Sequence, residues 1–293
     1  MSTFLETLIS GVLTGMMYSL VAISFILIFR ASGVFNYAQG AMMLFSTLFF
    51  VTMLGEGAPF IVALLIAIIT SVLLAVAVER VVLRPMANSS AVTLFMATLG
   101  VSYVVNGLAQ GILGTETQGL DLGIEDTPIF VGGVLVSRFD LWAAGFSLCV
   151  VILLALFFSR TRLGISVRAV ADDTAAAQSV GINLSRIWQV SWALSAVVGL
   201  FAGMIWGASQ GVSFSLEFLI LKALPVLIIG GFTSIEGAIV AGILVGGGEA
   251  LAETYLSPYI GGGLGSWFAY VLAVAFLLIR PTGLFGDAAI ERV

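Results

Sequence analysis

Few residues in this 293-residue chain can do chemistry: 11 are basic, 16 acidic and none is histidine. Without histidine the usual proton relay and the usual zinc ligand are missing. The one cysteine, Cys149, cannot form an intrachain disulfide and sits in an apolar run, where a small buried hydrophobe is expected. No nucleophile–base constellation stands out. No G-x-x-x-x-G-K-[ST] loop occurs, and the only lysine, Lys222, follows Leu-Ile-Leu. The chain is therefore expected not to hydrolyse ATP itself, and to hold no metal and no cofactor of its own. What remains is recognition by amides and carboxylates inside apolar segments, where such groups are costly and mark a solute path or interhelical bonds. Asn36 and Gln39 stand at the start of an apolar run, with Tyr37 between them. Asn106 and Gln110 are four apart on one helix face, as are Glu249 and Glu253. Glu79 and Arg80 fall at the edge of a run, where a structural interface fits.

The elements that must position these residues are membrane helices. Hydrophobic residues make up 60% of the chain and charged residues 9%, against roughly 25% charged in soluble domains. Such a chain cannot cover itself with a water-facing surface, and the excess of acid over base argues against a nucleic-acid partner. The first residues lack the basic region of a cleavable signal peptide. Runs near the ~20 residues needed to span cover 4–29, 35–54, 59–78, 91–113, 141–158, 187–209, 218–232, 235–255 and 266–279. The run 218–232 is short and holds Lys222, Pro225 and Gly230-Gly231, so it reads as broken or re-entrant. The expected fold is an all-α polytopic transmembrane bundle of eight or nine spans, forming a single domain over 1–293. Arg80 and Arg84, the group Arg160, Arg162, Arg168 and Arg186, and Arg280 with Arg292 mark cytoplasmic segments. The segment 114–140, with Glu116, Asp121, Glu125, Asp126 and Asp140, falls on the external side. With nine spans the N-terminus is outside and the C-terminus inside.

A faint internal repeat aligns residues 33–41 with 230–238, so that Asn36 matches Thr233 and Gln39 matches Glu236. Paired interrupted segments in two halves point to a transport site. Asn36, Tyr37, Gln39, Asn106, Thr233 and Glu236 are thus the candidate solute-path residues. The segment 159–185 is too polar to span. Asp172 or Asp173 can open a helix, the Ala-rich stretch 174–180 favours one, and Gly181 suits its end. The result is a short helix in an Arg-rich cytoplasmic loop, 159–186, suited to dock in a partner's groove.

The pattern Arg160, Arg162, Gly164, Arg168-Ala169-Val170-Ala171, Asp173, Ala176-Ala177 and Gly181-Ile182-Asn183 resembles the cytoplasmic coupling loop of the branched-chain amino acid permease family of ABC importers. In the same order, Gly11-x-x-x-Gly15-x-x-Tyr18-Ser19-Leu20 resembles the family's first helix. Phe35 to Gly40 resembles its N-F-A-H/Q-G motif, and Glu79-Arg80 to Arg84-Pro85-Met86 its E-R-x-x-x-R-P-L motif. Gly230 to Ala238 resembles G-G-x-G-S-x-x-G-A, and Arg280 to Gly286 resembles R-P-x-G-L-F-G. Tyr37 replaces the more usual Phe, Gln39 stands where many members have His, and Phe232-Thr233 departs from the pattern. These departures leave the solute open among branched-chain and other amino acids, urea or amides, and aromatic acids.

The resemblance implies a permease subunit of an ATP-driven importer in the bacterial inner (plasma) membrane. Its implied partners are two cytosolic ATPase subunits that carry ATP and Mg, a second homologous permease subunit and a periplasmic solute-binding protein. Coupling to the ATPases is implied for Arg168, Ala169, Asp172, Asp173, Ala176, Ala177 and Gly181. An ion-coupled secondary transporter is the alternative, and would need coupling-ion residues in the membrane.

Overall fold

The computed structural model describes residues 2–125 and 127–286. Asp126 of the acidic segment and Arg292 of the C-terminal basic pair lie outside the described residues. The architecture is helical: α1 (Ser2–Ser32), α2 (Gln39–Gly55), α3 (Phe60–Ala77), α4 (Ala91–Leu113), α5 (Arg138–Arg160), α6 (Arg162–Asp172), α7 (Thr174–Ser179), α8 (Leu184–Gln210), α9 (Leu219–Gly230), α10 (Ile235–Ile260) and α11 (Leu264–Ile279). Among the described residues six helices are long and apolar enough to cross a membrane, and α2 and α11 are shorter apolar helices. The protein is thus a multi-pass helical membrane bundle. The helices overrun most of the apolar runs because a spanning helix continues into the interfacial region. The run 35–54 is the exception. Its helix begins only at Gln39, since Gly33 turns the chain at φ +66° and the stretch to Asn36 is not helical. The run 218–232, expected as broken, is instead a continuous helix, α9, from Leu219 to Gly230 with Pro225 inside it, and the 3-10 turn at Phe214–Phe218 lies just ahead of it; neighbouring helices let a spanning helix absorb the bond that proline removes.

The acidic segment holds a β-hairpin that sequence patterning did not foresee: β1 (Ile129–Val131) pairs antiparallel with β2 (Val134–Val136). Gly132 and Gly133, at φ +61° and +85°, form its two-residue turn, since positive φ at both turn positions matches the twist of the strands. Cys149 is exposed rather than buried. It lies on the side of α5 that also carries exposed Trp142 and Phe146, a surface suited to lipid.

Two compact units can be described separately. One contains the chain up to Ala22, Leu122–Val151 and the chain from Ile220. In it, α1 meets α10 through Gly11, Gly15 and Ser19 against Ala238, Gly242 and Gly246, two rows of small residues spaced by four. A Cβ on Gly15 would strike the Gly242 carbonyl, and one on Gly246 would strike that of Gly11. The Ser19 hydroxyl lies 3.0 Å from the Ala238 carbonyl oxygen and 2.9 Å from that of Gly15. Lipid tails are as apolar as leucine, so it is this close backbone approach that holds the helices together.

The other unit contains Ile23–Asp121 and Ile152–Leu219. Here Gly199, Gly203 and Gly207 of α8 face α2. A Cβ at Gly199 would come 2.9 Å from Gln39 Nε2, and one at Gly203 would overlap Thr47 Oγ1. Around this seam Met42, Ala75, Val78, Leu83, Val101 and Trp192 form one buried cluster. α3 continues through a π-helical turn, Val78–Leu83, into a 3-10 turn, Arg84–Met86. The wider turn places Glu79, wholly buried, against Arg84 in a bidentate pair at 2.9–3.0 Å. The partner of Glu79 is thus Arg84, five residues on, and not its neighbour Arg80.

Candidate functional site

Between α5 and α8 the chain makes three consecutive helix starts, each capped by a side chain. Thr161 Oγ1 accepts the Gly164 N–H at 3.0 Å and opens α6. Asp173 Oδ1 accepts the Ala176 N–H at 2.9 Å and opens α7. Asn183 Oδ1 accepts the Arg186 N–H at 3.2 Å and opens α8. These short polar side chains satisfy amide groups that have no partner within the helix. Asp173 also terminates α6, its N–H reaching the Ala169 carbonyl at 3.1 Å, so it is the joint between the two helices. α7 ends on Gly181 at φ +86°, with the Ile182 N–H bonded to Ala177 O and the Gly181 N–H to Gln178 O. This paired pattern closes a helix end through a left-handed glycine.

The expected single helix over Asp172 and the stretch 174–180 is therefore two helices. Asp172 is the last residue of α6, and α7 stops at Ser179. Asn183 starts the next helix, α8. Gly164, Val167 and Val170 turn α6 inward, and Gly164 packs against the backbone of Phe157 and Phe158. Arg168 and Ala169 are half-buried on α6. On α7 only Ala177 is buried, while Asp173, Ala176, Ser179 and Val180 are exposed. The pair is a firmly capped element presenting a small-residue surface.

The candidate solute-path residues fall into three groups. Asn36 and Gln39 come together in the unit that holds α2. The Asn36 Nδ2 donates to Gln39 Oε1 at 3.3 Å, and its Oδ1 accepts the Ala38 N–H at 3.1 Å. Gln39 Nε2 donates to the Ser195 carbonyl at 3.4 Å. The Ser195 hydroxyl lies 2.5 Å from Ser24 O and 3.2 Å from Gln39 Oε1, and serves one at a time. Asn36 is 1% and Gln39 2% exposed, so in this conformation both amides carry internal bonds, Gln39 tying the start of α2 to α8 and Asn36 holding Gln39 and the turn before it. Tyr37 donates its N–H to Thr98 Oγ1 at 3.0 Å and sets its ring edge-on to Phe95.

Asn106 forms the second group. It bonds Glu217, a residue the sequence reading passed over, and not Gln110, which points outward. Glu217 belongs to the 3-10 turn, whose backbone lies against Gly40 of α2 so closely that a Cβ there would strike the Glu217 carbonyl. Thr233 and Glu236 form the third, at the start of α10 in the other unit. Ser234 caps that helix through the Gly237 N–H at 2.9 Å and also reaches Glu236 Oε2 at 3.3 Å. Both aligned segments are helix breaks that use a positive-φ glycine, Gly33 in one and Gly231 in the other. Glu249 and Glu253, expected as one face, part company. Glu249 lies 3.6 Å from Lys222, while Glu253 accepts the N–H groups of Gly263 and Gly265 at 3.2 and 2.7 Å and holds the turn into α11.

A multi-pass bundle joined by glycine seams, with polar clusters among its helices and a capped helix pair between two of them, is a membrane transport subunit in class. The chain belongs to the family described as branched-chain amino acid transport system, permease component, whose model matches residues 7–280. It is accordingly a permease subunit of the ABC importer type. Its relatives include the high-affinity branched-chain amino acid transport system permease protein BraD of Pseudomonas aeruginosa, 26% identical over 99% of this chain and 98% of that one. The corresponding permease LivH of Escherichia coli is also 26% identical, with the same coverage. A probable branched-chain amino acid transport permease of Methanocaldococcus jannaschii is 26% identical over 91% of this chain and 88% of its own length. Among solved structures, PsaBC from Streptococcus pneumoniae in complex with Fab matches at a TM-score of 0.50 and 16% identity, over 94% of this chain and 90% of that one. That likeness concerns the fold.

Proposed function

We propose that this chain forms, as one permease domain, part of the translocation path of an ATP-driven importer for amino acids of the branched-chain type or related small polar solutes, in the bacterial inner (plasma) membrane. Two cytosolic ATPase subunits supply ATP and Mg, a second homologous permease completes the path, and a periplasmic binding protein delivers the solute. The observation that carries the reading is the α6–α7 joint, a capped and exposed element beside Arg160, Arg162 and Arg186. Closure of the ATPases pushes on this joint, and ATP drives the switch because it favours one state over the other. Arg168, Ala169, Asp172, Asp173, Ala176, Ala177 and Gly181 form the coupling surface. Asn36, Tyr37, Gln39, Asn106, Thr233 and Glu236 line the path. Contact of solute with Asn36 and Gln39 requires a second state in which their internal bonds open.

Nine crossings follow from parity. The Arg-rich joint and Arg280 both belong in the cytoplasm, and four elements, α8 to α11, separate them. The element containing α9 must therefore cross. With 12 residues α9 supplies about 18 Å, short of the ~30 Å hydrocarbon core, so the five-residue 3-10 turn before it is counted with the crossing element.

The test is a pull-down from mild detergent of wild type against the double variant Asp173→Arg/Ala176→Arg. Wild type brings down two ATPases and a second permease, and the variant loses the ATPases alone. Wild type that purifies without ATPases and transports on an ion gradient would replace this reading with an ion-coupled secondary transporter.

A further inference from the structure

One group of ionisable side chains lies among the apolar helices and takes no part in the coupling joint. Lys222 of α9, the only lysine in the chain, holds its Nζ 3.6 Å from Glu249 Oε1 of α10 and 5.8 Å from the centre of the Tyr18 ring on α1. Tyr18 also shares a hydrogen bond with Glu249. Three helices thus bring one positive and one negative group together where the chain is otherwise apolar.

This pair is unlike the ion pair of Glu79 with Arg84. Glu79 and Arg84 close at 2.9 Å with two parallel N–H···O bonds, the geometry of a structural clamp. Lys222 and Glu249 stand further apart than the 2.7–2.9 Å usual for a charge-assisted bond. The Lys222 side chain is 36% exposed and that of Glu249 10%. Ionisable groups within a spanning bundle face its interior or a water-filled path, since hydrocarbon offers them no partner. The ammonium has three donors and the carboxylate two acceptor oxygens with four lone-pair sites, so the 3.6 Å contact and the Tyr18 bond leave capacity on both.

We infer that Lys222 and Glu249 form a binding site for the charged ends of a zwitterionic solute, Lys222 donating to its carboxylate and Glu249 accepting from its ammonium. The inference rests on the reading of the chain as an importer subunit for small polar solutes, and narrows the solute to α-amino acids. A zwitterion carries both charges on one carbon and meets each with its opposite, so no charge is stranded. Urea and amides offer no charge to either group. An aromatic acid meets Lys222 but sets its own negative charge beside Glu249, a costly like-charge contact in a low-dielectric setting. Tyr18, stacked near the ammonium, fixes where Lys222 can point.

The single lysine makes this testable in the assembled complex in lipid nanodiscs. Acetylation of Lys222 by acetic anhydride is followed by peptide mass spectrometry with leucine, leucinamide, 4-methylpentanoate or urea present. Leucine at ten times its half-protecting concentration slows acetylation about tenfold by mass action, and the other three leave it within about twofold. No protection by leucine, or equal protection by leucine and its singly charged analogues, overturns the inference. The double variant Lys222→Met/Glu249→Gln supplies an independent measure. It assembles with its partners, because a buried ion pair replaced by similar uncharged groups usually leaves a fold intact, yet its leucine uptake falls at least about tenfold, the loss of one ion-paired contact. Full uptake by that assembled variant also overturns the site. Wild type that assembles with ATPases and takes up no amino acid removes the importer reading for amino acids; wild-type leucine uptake with unprotected Lys222 removes only the zwitterion site.

Discussion

If the α6–α7 joint docks on ATPase subunits as proposed, Asp173→Ala will uncouple them while leaving the membrane helices intact. The carboxylate holds the Ala176 N–H at 2.9 Å and opens a helix of only six residues. Loss of an N-cap costs about 1 kcal/mol. A helix this short has no stability of its own in water, and Ala177 is the only residue α7 buries. No core offsets the loss, so about 1 kcal/mol becomes a roughly fivefold fall in the ratio of ordered to frayed α7. ATP-driven uptake in proteoliposomes, and ATPase stimulation by solute, should fall by up to that factor, the full fivefold applying where the ordered helix is the minor form before docking. Asp173→Asn is the control, since asparagine caps as well as aspartate, and it should work near the wild-type level. An alanine variant with normal coupling would refute the role of the joint. An asparagine variant as poor as alanine would show that the negative charge, and not the cap, is what the ATPase reads.

Three further outcomes follow from the packing. Gly203→Ala puts a Cβ onto Thr47 Oγ1 at the α2–α8 seam and should destabilise the protein by about 1–3 kcal/mol, read as a lowered midpoint of thermal unfolding in detergent; an unchanged midpoint would mean the seam is loose. Arg84→Met strands the buried Glu79 carboxylate and should cost about 3–5 kcal/mol, seen as lost monodispersity, whereas the double variant Glu79→Leu/Arg84→Met should regain most of it. Gly231→Ala places a side chain at φ +97° and 2.8 Å from the Gly286 N–H nitrogen. It should release the 282–286 turn from α9, at a cost of at least about 1–2 kcal/mol, and expose that turn to limited proteolysis.

The sequence by itself determined the class of fold. Apolar runs near bilayer length leave a chain no solvent but lipid, and in lipid the backbone can satisfy its polar groups only as helices here. The end of α9 was legible from Gly230-Gly231, where Gly231 takes φ +97°, whereas Pro225 sits inside that helix and does not break it. The caps were partly legible too, because Asp173 and Gly181 act on neighbours three or four residues away, within reach of local pattern. Spacing could not name partners. It put Glu249 beside Glu253, Asn106 beside Gln110 and Glu79 beside Arg80, since i and i+4 define a face and adjacency defines an edge. Tertiary structure chose Lys222, Glu217 and Arg84 instead. The first two choices depend on which helix lies opposite, 27 and 111 residues away in the chain, and the third on a π turn that shifts the phase of the helix. Likewise only the packed helices decide that Gly203 meets Thr47 and Gly15 meets Gly242. A glycine carries no side chain by which sequence could specify its neighbour.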